Sequence, residues 1–169
     1  MNTPKKLILS GIFAAFALVA FMLENLFPPL FIAGGRIGIA NFFVLLAGIV
    51  AGFWYGFAVL TVKAALGSLI TGNATAILYS LPAGAIAYTV QMLLILYLPK
   101  ISVIAASVTG GVINASIQNF VFCLIAKTPE YIVYMPYLAL VGALGGLIVG
   151  TAVLITLKLV PLKFFNSNL

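Results

Sequence analysis

Histidine and aspartate are absent from this chain of 169 residues, and its only acidic residues are Glu24 and Glu130. Protein sites for zinc, calcium, magnesium or haem are built mainly from histidine, cysteine and carboxylate ligands. Two carboxylates and one thiol are too few for such a set, so the sequence predicts no metal site and no cofactor. The single cysteine, Cys123, excludes an internal disulfide, and its apolar neighbours favour a small core residue.

Charged residues of either sign are also scarce. They make up 6% of the chain, against roughly a quarter in soluble domains, whereas hydrophobic residues make up 64%. This composition predicts an integral membrane protein. Since one crossing needs about 20 residues, residues 1–169 accommodate about six transmembrane helices and leave no room for a soluble catalytic domain. We therefore expect a single, all-α, polytopic six-helix domain.

Turn signals divide the apolar sequence into six predicted helices joined by mostly short connections. The first connection on the outer side is the longest, and the pairs Pro28-Pro29 and Gly34-Gly35 make it irregular. The predicted helices cover approximately residues 6–23, 37–51, 54–71, 75–98, 101–126 and 132–160. The first helix imitates a signal peptide, but no cleavage site follows it, so we expect it to be retained.

The net charge of +6 comes from single basic residues between apolar segments, not from a patch, which argues against nucleic-acid binding. An even number of crossings places both termini on one side. That side then holds most of the lysines and neither acid, so the positive-inside rule predicts a cell-membrane protein with both termini in the cytoplasm. These lysines are Lys5, Lys6, Lys100, Lys158 and Lys163.

Small residues recur at the spacing of four that lets helix backbones approach closely in a membrane. The series Gly48, Gly52, Gly56 and the series Gly142, Gly146, Gly150 are expected to pack inside the bundle. The first helix is small around nearly its whole circumference, and there we predict a surface that docks another protein. The docking candidates are Gly11, Ala14 and Ala15.

The stretch "VINASIQNF" places polar side chains inside an apolar helix. At about 100° per residue, Asn114 and Gln118 share one face, whereas Ser116 and Asn119 share another. Hydrogen bonds between helices are one interpretation of these faces, and a solvated or ligand-lined cavity is the other. We favour a cavity lined by Asn114 and Gln118, with Ser116 and Asn119 serving mainly in packing.

Lys63 lies near the centre of the third predicted helix, where a cation costs roughly 2.5 to 3.5 kcal/mol unless it is paired or hydrated. Its side chain reaches either interface poorly, so a cavity or an anionic ligand group is the favoured environment. Further donors complete the predicted substrate-binding set: Arg36, Asn41, Tyr79 and Gln91.

Four segments in this order are similar to the Gx transporter family, also called heptaprenyl diphosphate synthase component I. They read "GGRIGIANFFVLLAG", "KAALGSLITG", "LYSLPAGAIAYTVQM" and "SVTGGVINASIQN", and the resemblance covers about residues 5 to 160. The chain departs from the family pattern at two places. Lys63 stands where arginine is usual, and Asn114, Ala115 and Gln118 stand where His-Asn-x-x-Gln is usual, so a changed ligand preference is expected.

That family resembles the substrate-binding S components of energy-coupling factor transporters. The resemblance implies six helices, a capping first outer loop and a docking surface on the first helix. It also implies a small-molecule substrate, such as a vitamin, a cofactor precursor or a quinone or isoprenoid precursor. The implied partners are a transmembrane coupling protein and two ATPases, and the chain itself has no GxxxxGK[ST] motif.

Two other functions are compatible with the sequence. The first is a non-catalytic membrane subunit that binds a lipid or partners a prenyl diphosphate synthase; we expect no catalysis, because magnesium-dependent diphosphate chemistry uses clustered aspartates. The second is an ion-coupled carrier, which normally needs an acid within the membrane, whereas Glu24 and Glu130 fall in predicted loops.

Overall fold

The computed structural model describes residues 2–26, 38–98 and 100–160 of the chain. These residues form six α-helices and a 3₁₀ helix, and they contain no strand, so the predicted all-α fold is confirmed. The helices are α1 (Thr3–Leu26), α2 (Asn41–Ala51), α3 (Phe53–Ile70), α4 (Ala76–Tyr97), α5 (Val103–Ala126) and α6 (Met135–Leu159), with the 3₁₀ helix at Pro129–Tyr134.

Five of the six helices are long and apolar enough to cross a membrane: α1, α3, α4, α5 and α6 together with the preceding 3₁₀ helix. Helix α2 has 11 residues and a length of about 16 Å, which is half the thickness of the hydrocarbon core of a bilayer. Large apolar side chains cover the outside of the long helices, as contact with lipid requires. The chain is therefore a multi-pass membrane protein in which one helix is of half length.

Several predicted helix boundaries differ from the structure by three or four residues, among them the starts of the second and sixth helices. The second helix was expected from residue 37 but begins at Asn41, because Gly38 adopts a left-handed φ of +79° and a turn follows it. The sixth helix was expected from residue 132 but begins at Met135, after the 3₁₀ helix. Pro136 suits the first turn of α6, since the N–H it lacks has no partner within the helix there.

Helix α2 is the central element of the bundle in spite of its length. It packs against α1, α3, α4 and α6, and its residues from Val44 to Gly48 are all buried. Only Gly52, with a φ of +113°, separates α2 from α3, so the two helices fold back on each other as a tight hairpin. Helix α5 lies between α4 and α6.

Five of the six glycines in the two series pack inside the bundle, as predicted; the exception is Gly52, which lies between α2 and α3 and whose Cβ atom, if it had one, would meet no atom within 4 Å. A Cβ atom placed on Gly146 of α6 would lie 2.4 Å from the carbonyl oxygen of Ser107 in α5. A Cβ atom on Gly56 would lie 2.7 Å from the Cα atom of Gly48 and 2.3 Å from the hydroxyl of Tyr88. These distances allow no side chain, so glycine permits the backbones to touch.

The two ends of the bundle differ in charge. One end, here called the basic end, contains the starts of α1, α3 and α5 and the ends of α2, α4 and α6. The Lys6 ammonium lies 5.8 Å from the centre of the Tyr55 ring there, which ties α1 to α3. Both described termini lie at the basic end, because the six helices alternate in direction along the chain. Its described lysines are Lys5, Lys6, Lys100 and Lys158.

Candidate functional site

Lys63 and Asn41 form a polar pair in the middle of the bundle. The Lys63 ammonium donates a hydrogen bond of 2.6 Å to Oδ1 of Asn41, and the lysine side chain is only 9% exposed. The hairpin geometry explains this pairing, because each residue is eleven positions from Gly52 along its own helix. Both therefore lie at the same height, about 15 Å from the basic end of their helices at 1.5 Å per residue.

The start of α2 is held by contacts on both sides of this pair. The N–H of Ile39 donates to the carboxylate of Glu24, which lies in the last turn of α1. Gly38 is close enough to Asn41 that a Cβ atom on it would lie 2.8 Å from Nδ2 of the amide. Ala40 precedes the helix and supplies no side-chain cap. The first turn of α2 is therefore anchored by Glu24 and by backbone contacts.

Asn114 of α5 lies at a comparable depth. It is eleven residues after the first residue of α5, or about 17 Å from the basic end. Its side chain is half-buried and forms no hydrogen bond with another described residue. Asn41, Lys63 and Asn114 are here called the mid-bundle polar layer. The name refers to their common depth along three different helices.

The middle of α5 has no buried face. Every residue from 111 to 118 is half-buried, whereas Ser107 before this segment and Asn119 after it are buried. No residue of this segment is therefore fully enclosed by the described part of the chain. Gln118, one turn beyond Asn114, is also half-buried without a hydrogen bond to a described residue.

The two faces of α5 differ in part from the sequence interpretation. Asn119 serves in packing, as expected: its amide donates a bond of 3.2 Å to the carbonyl of Tyr131. Toward the basic end, Ser107 and Gly111 lie on the same side of α5 as Asn114 and could have continued an open, polar face. Instead Ser107 is 1% exposed, and a Cβ atom on Gly111 would lie 2.1 Å from the carbonyl oxygen of Gly142. The open part of this face therefore ends near Asn114, because α6 packs against α5 between Asn114 and the basic end.

Two other candidates lie at different depths. Tyr79 belongs to the first turn of α4 at the end opposite the basic end, where its ring meets that of Phe122 edge to face at 5.7 Å. Gln91 lies about 9 Å from the basic end of α4, and its amide donates to the carbonyl of Ser107 at 3.4 Å. Gln91 therefore joins α4 to α5 below the polar layer. Arg36 lies outside the described residues.

The small residues of α1 divide between two faces. Gly11 and Ala15 are exposed, and a Cβ atom on Gly11 would meet no atom of another element within 4 Å. Ala14 is half-buried and packs against the core, and Ala17 is fully buried. One side of α1 packs on α2 and α3, so only part of its circumference is available for the docking that the sequence predicts. The open candidates are Gly11 and Ala15.

Sequence reasoning missed the role of Glu24, which was assigned to a loop. Helix α1 continues to Leu26, so Glu24 lies within its last turn and reaches the backbone of Ile39. The sequence does contain one sign of such a role, because Glu24 is the only acidic residue among the first 129. The described residues contain no group of three or more histidine, cysteine or acidic residues that could hold a metal ion.

A separate groove of about 540 Å³ lies between α1 and α3, toward the end opposite the basic end. Its walls are mostly apolar, and none of the residues of the polar layer contributes to it. The lining residues are Val19, Met22, Leu23, Asn25, Ile70 and Thr71.

Comparison with known proteins gives one match. Residues 13–156, which are most of the chain, match the family model described as "Heptaprenyl diphosphate synthase component I". The comparisons with curated proteins and with solved structures gave no match. The matched segment contains the whole of α2 to α5 and therefore every residue of the mid-bundle polar layer. The chain belongs to the heptaprenyl diphosphate synthase component I family.

Proposed function

We propose that this protein is the membrane-embedded substrate-binding subunit of an energy-coupling-factor-type uptake transporter. The observation that carries the proposal is the mid-bundle polar layer, where a buried lysine is bonded to the first residue of α2 and a half-buried amide of α5 lies at a similar depth. Ionisable residues at such depth are expensive in a bilayer, and they commonly mark substrate or ion pathways. The substrate would be a small vitamin, cofactor precursor or quinone or isoprenoid precursor.

The binding site would consist of the polar layer and the candidates above it. Lys63 and Asn41 form its floor beside the buried centre of α2, and Asn114 and Gln118 form one wall. Tyr79 and Arg36 belong to the proposed approach from the outer side, and Gln91 supports the α4–α5 wall from below. In this arrangement the substrate enters from the end opposite the basic end, because buried side chains fill the bundle below the layer: Leu45, Val59, Met92 and Val153.

The energy for transport would come from partners, since the chain carries no nucleotide-binding motif. We assign their docking to the exposed side of α1, where Gly11 and Ala15 leave a shallow path for another helix. The partners would be a transmembrane coupling protein and two ATPases. The lysines of the basic end favour a position in the cell membrane with both termini in the cytoplasm.

The second candidate is a non-catalytic membrane subunit of a prenyl diphosphate synthase, and the name of the matched family favours it. In that case the half-buried middle of α5 would contact part of a lipid. The chain would not itself transfer a prenyl group, because it contains no aspartate cluster to bind magnesium.

Purification of the tagged chain from its native membranes in mild detergent distinguishes the two functions. We expect mass spectrometry to identify the coupling protein and both ATPases. Ala15→Leu, on the exposed side of α1, should lower their recovery, whereas Ala105→Leu on the exposed side of α5 is the matched control and should not. Recovery of a prenyl diphosphate synthase subunit instead of ATPases would contradict the transporter proposal.

A further inference from the structure

We propose that one corner of the basic end binds the head group of an anionic phospholipid. Lys5 and Lys6 of α1 would bind the phosphate, and Tyr55 of α3 would hold Lys6 in position. The inference is independent of the transporter proposal, since none of these residues belongs to the proposed substrate site. It depends on three features of the described residues: the separation of charge along the bundle, the contact of Lys6 with Tyr55, and the exposed apolar side chains beside the lysines.

The first feature is the separation of charge. The two acidic residues of the chain, Glu24 and Glu130, both lie at the end opposite the basic end, in the last turn of α1 and in the 3₁₀ helix. The basic end therefore presents its described lysines without a described carboxylate to neutralise them. Such a cationic surface complements a layer of negatively charged lipid head groups. These lysines are Lys5, Lys6, Lys100 and Lys158.

The second feature is the position of Lys6. Its ammonium lies 5.8 Å from the centre of the Tyr55 ring, within the range of about 6 Å for a cation–π contact. The ammonium donates no hydrogen bond to a described residue, so its N–H groups are available to an anion. Lys6 is half-buried, whereas Lys5 beside it is exposed. Because the ring restricts one of two consecutive lysines, less side-chain entropy is lost when both bind a phosphate.

The third feature is the apolar surface that adjoins the lysines. Leu7 and Ile8 follow Lys6 directly on α1, and both side chains are exposed. Trp54, the residue before Tyr55, is 76% exposed. Tryptophan is enriched where a membrane meets water, and lysine side chains near helix ends extend to the same level. Cations followed by exposed aliphatic side chains match a ligand whose anionic head group is joined to acyl chains.

A phospholipid fits this corner better than an anion dissolved in water. A free anion could contact the two ammonium groups, but it would bury none of the adjoining apolar surface, and salt would screen its attraction to an exposed lysine. Helix α1 is long and apolar enough to cross the membrane, and Lys5 and Lys6 lie in its first turn. Lipid head groups are therefore already concentrated at the level of these two lysines.

The experiment measures thermal unfolding of the purified full-length protein in a neutral detergent with three probes: dioleoylphosphatidylglycerol, dioleoylphosphatidylcholine and inorganic phosphate. The two lipids have the same acyl chains, and only the first has a net negative charge. Each lysine near an anionic lipid surface contributes about five-fold in affinity. We therefore expect phosphatidylglycerol to raise the midpoint in a saturable manner, with a dissociation constant roughly 25-fold lower than that of phosphatidylcholine.

Two outcomes with the wild-type protein would overturn the proposal. Equal responses to the two lipids would show that the acyl chains alone account for binding. A response to inorganic phosphate as large as that to phosphatidylglycerol would show that the corner binds a free anion. We expect inorganic phosphate to leave the midpoint unchanged.

Variants locate the effect. The double variant Lys5→Gln/Lys6→Gln should raise the dissociation constant of phosphatidylglycerol by about 25-fold. Lys5 is exposed, so Lys5→Gln alone should fold as the wild type does and raise the constant by about five-fold, which keeps the test valid if the double variant does not fold. Tyr55→Leu keeps both lysines and removes the ring, so we expect a rise of about two- to five-fold.

The matched control removes the same amount of charge elsewhere at the basic end. Lys100 and Lys158 are both exposed, and the double variant Lys100→Gln/Lys158→Gln should raise the dissociation constant by less than about five-fold. A loss as large as that of Lys5→Gln/Lys6→Gln would indicate a diffuse attraction to the whole basic end. That result would overturn the assignment of the head group to the corner formed by α1 and α3.

Discussion

The contact between α5 and α6 yields a quantitative prediction about two glycines. Gly111 lies where the helices touch, and a Cβ atom on it would be 2.1 Å from the carbonyl oxygen of Gly142 and 3.3 Å from the Cα atom of Gly146. Gly11 of α1 occupies an equally helical position with no atom of another element within 4 Å. The substitutions Gly111→Ala and Gly11→Ala therefore add the same methyl group to a closed and to an open environment.

Their effects on the free energy of unfolding should have opposite signs. Replacing a helical glycine with alanine stabilises the helix by up to about 1 kcal/mol, and this gain applies to both variants. At Gly111 the methyl group must first displace a backbone carbonyl by roughly 1 Å, and overpacking of this kind costs about 1 to 3 kcal/mol. A backbone carbonyl cannot rotate out of the way as a side chain can, so we expect an overpacking cost of about 3 kcal/mol. After the helix gain of about 1 kcal/mol is subtracted, the free energy of unfolding should fall by about 2 kcal/mol.

Equilibrium unfolding by sodium dodecyl sulfate in mixed micelles, followed by circular dichroism, measures both variants on one scale. Gly111→Ala should unfold at a lower detergent fraction than the wild type, and Gly11→Ala at an equal or higher one. The double variant Gly111→Ala/Gly142→Ala should lose less than the sum of the two single variants, since the first substitution already separates the helices. A midpoint for Gly111→Ala at or above that of Gly11→Ala would refute the close approach of α5 and α6.

Three further predictions concern other parts of the bundle. Tyr88→Phe removes the hydroxyl that donates to the Phe53 carbonyl at 2.8 Å, so it should lower the free energy of unfolding by about 0.5 to 1.5 kcal/mol in the same assay. Asn119→Leu should lower the thermal midpoint of unfolding and leave substrate affinity unchanged, whereas Gln118→Leu should keep the fold and weaken binding by about 5- to 150-fold. Titration of the substrate compares the two affinities, and a larger loss of affinity in Asn119→Leu would contradict our assignment of the faces. Reporter fusions at the two termini should both give cytoplasmic signals, and an external signal at either end would contradict the predicted orientation.

The sequence was sufficient to predict the helices but not their rotation. Apolar runs and turn residues located all six, and every glycine of the two series except Gly52 was correctly assigned to internal packing. In a membrane, however, both the lipid-facing and the buried sides of a helix are apolar, so hydrophobic periodicity says little about which side faces inward. The assignment of Gln91 to the site had only its residue type as support, and the structure places it at the α4–α5 contact.

The pairing of Lys63 with Asn41 could have been predicted more fully than it was. Both residues were selected as candidates, and their equal distance from Gly52 implies a common height once α2 and α3 are recognised as a hairpin. The start of α2 could not be predicted as well, because the stretch "IGIA" before Asn41 contains no polar side chain to mark a boundary. The boundary is marked by the left-handed backbone conformation of Gly38, which is seen only in the structure.

The claim that this chain binds a small molecule within its helices is tested most directly by mass spectrometry of the compounds that the purified protein releases on denaturation. We predict one small organic compound in near-equal molar amount to the wild-type protein. It should be depleted from Asn114→Leu and retained by Asn119→Leu. Release of bilayer phospholipids alone, in equal amounts from the wild type and both variants, would contradict the account.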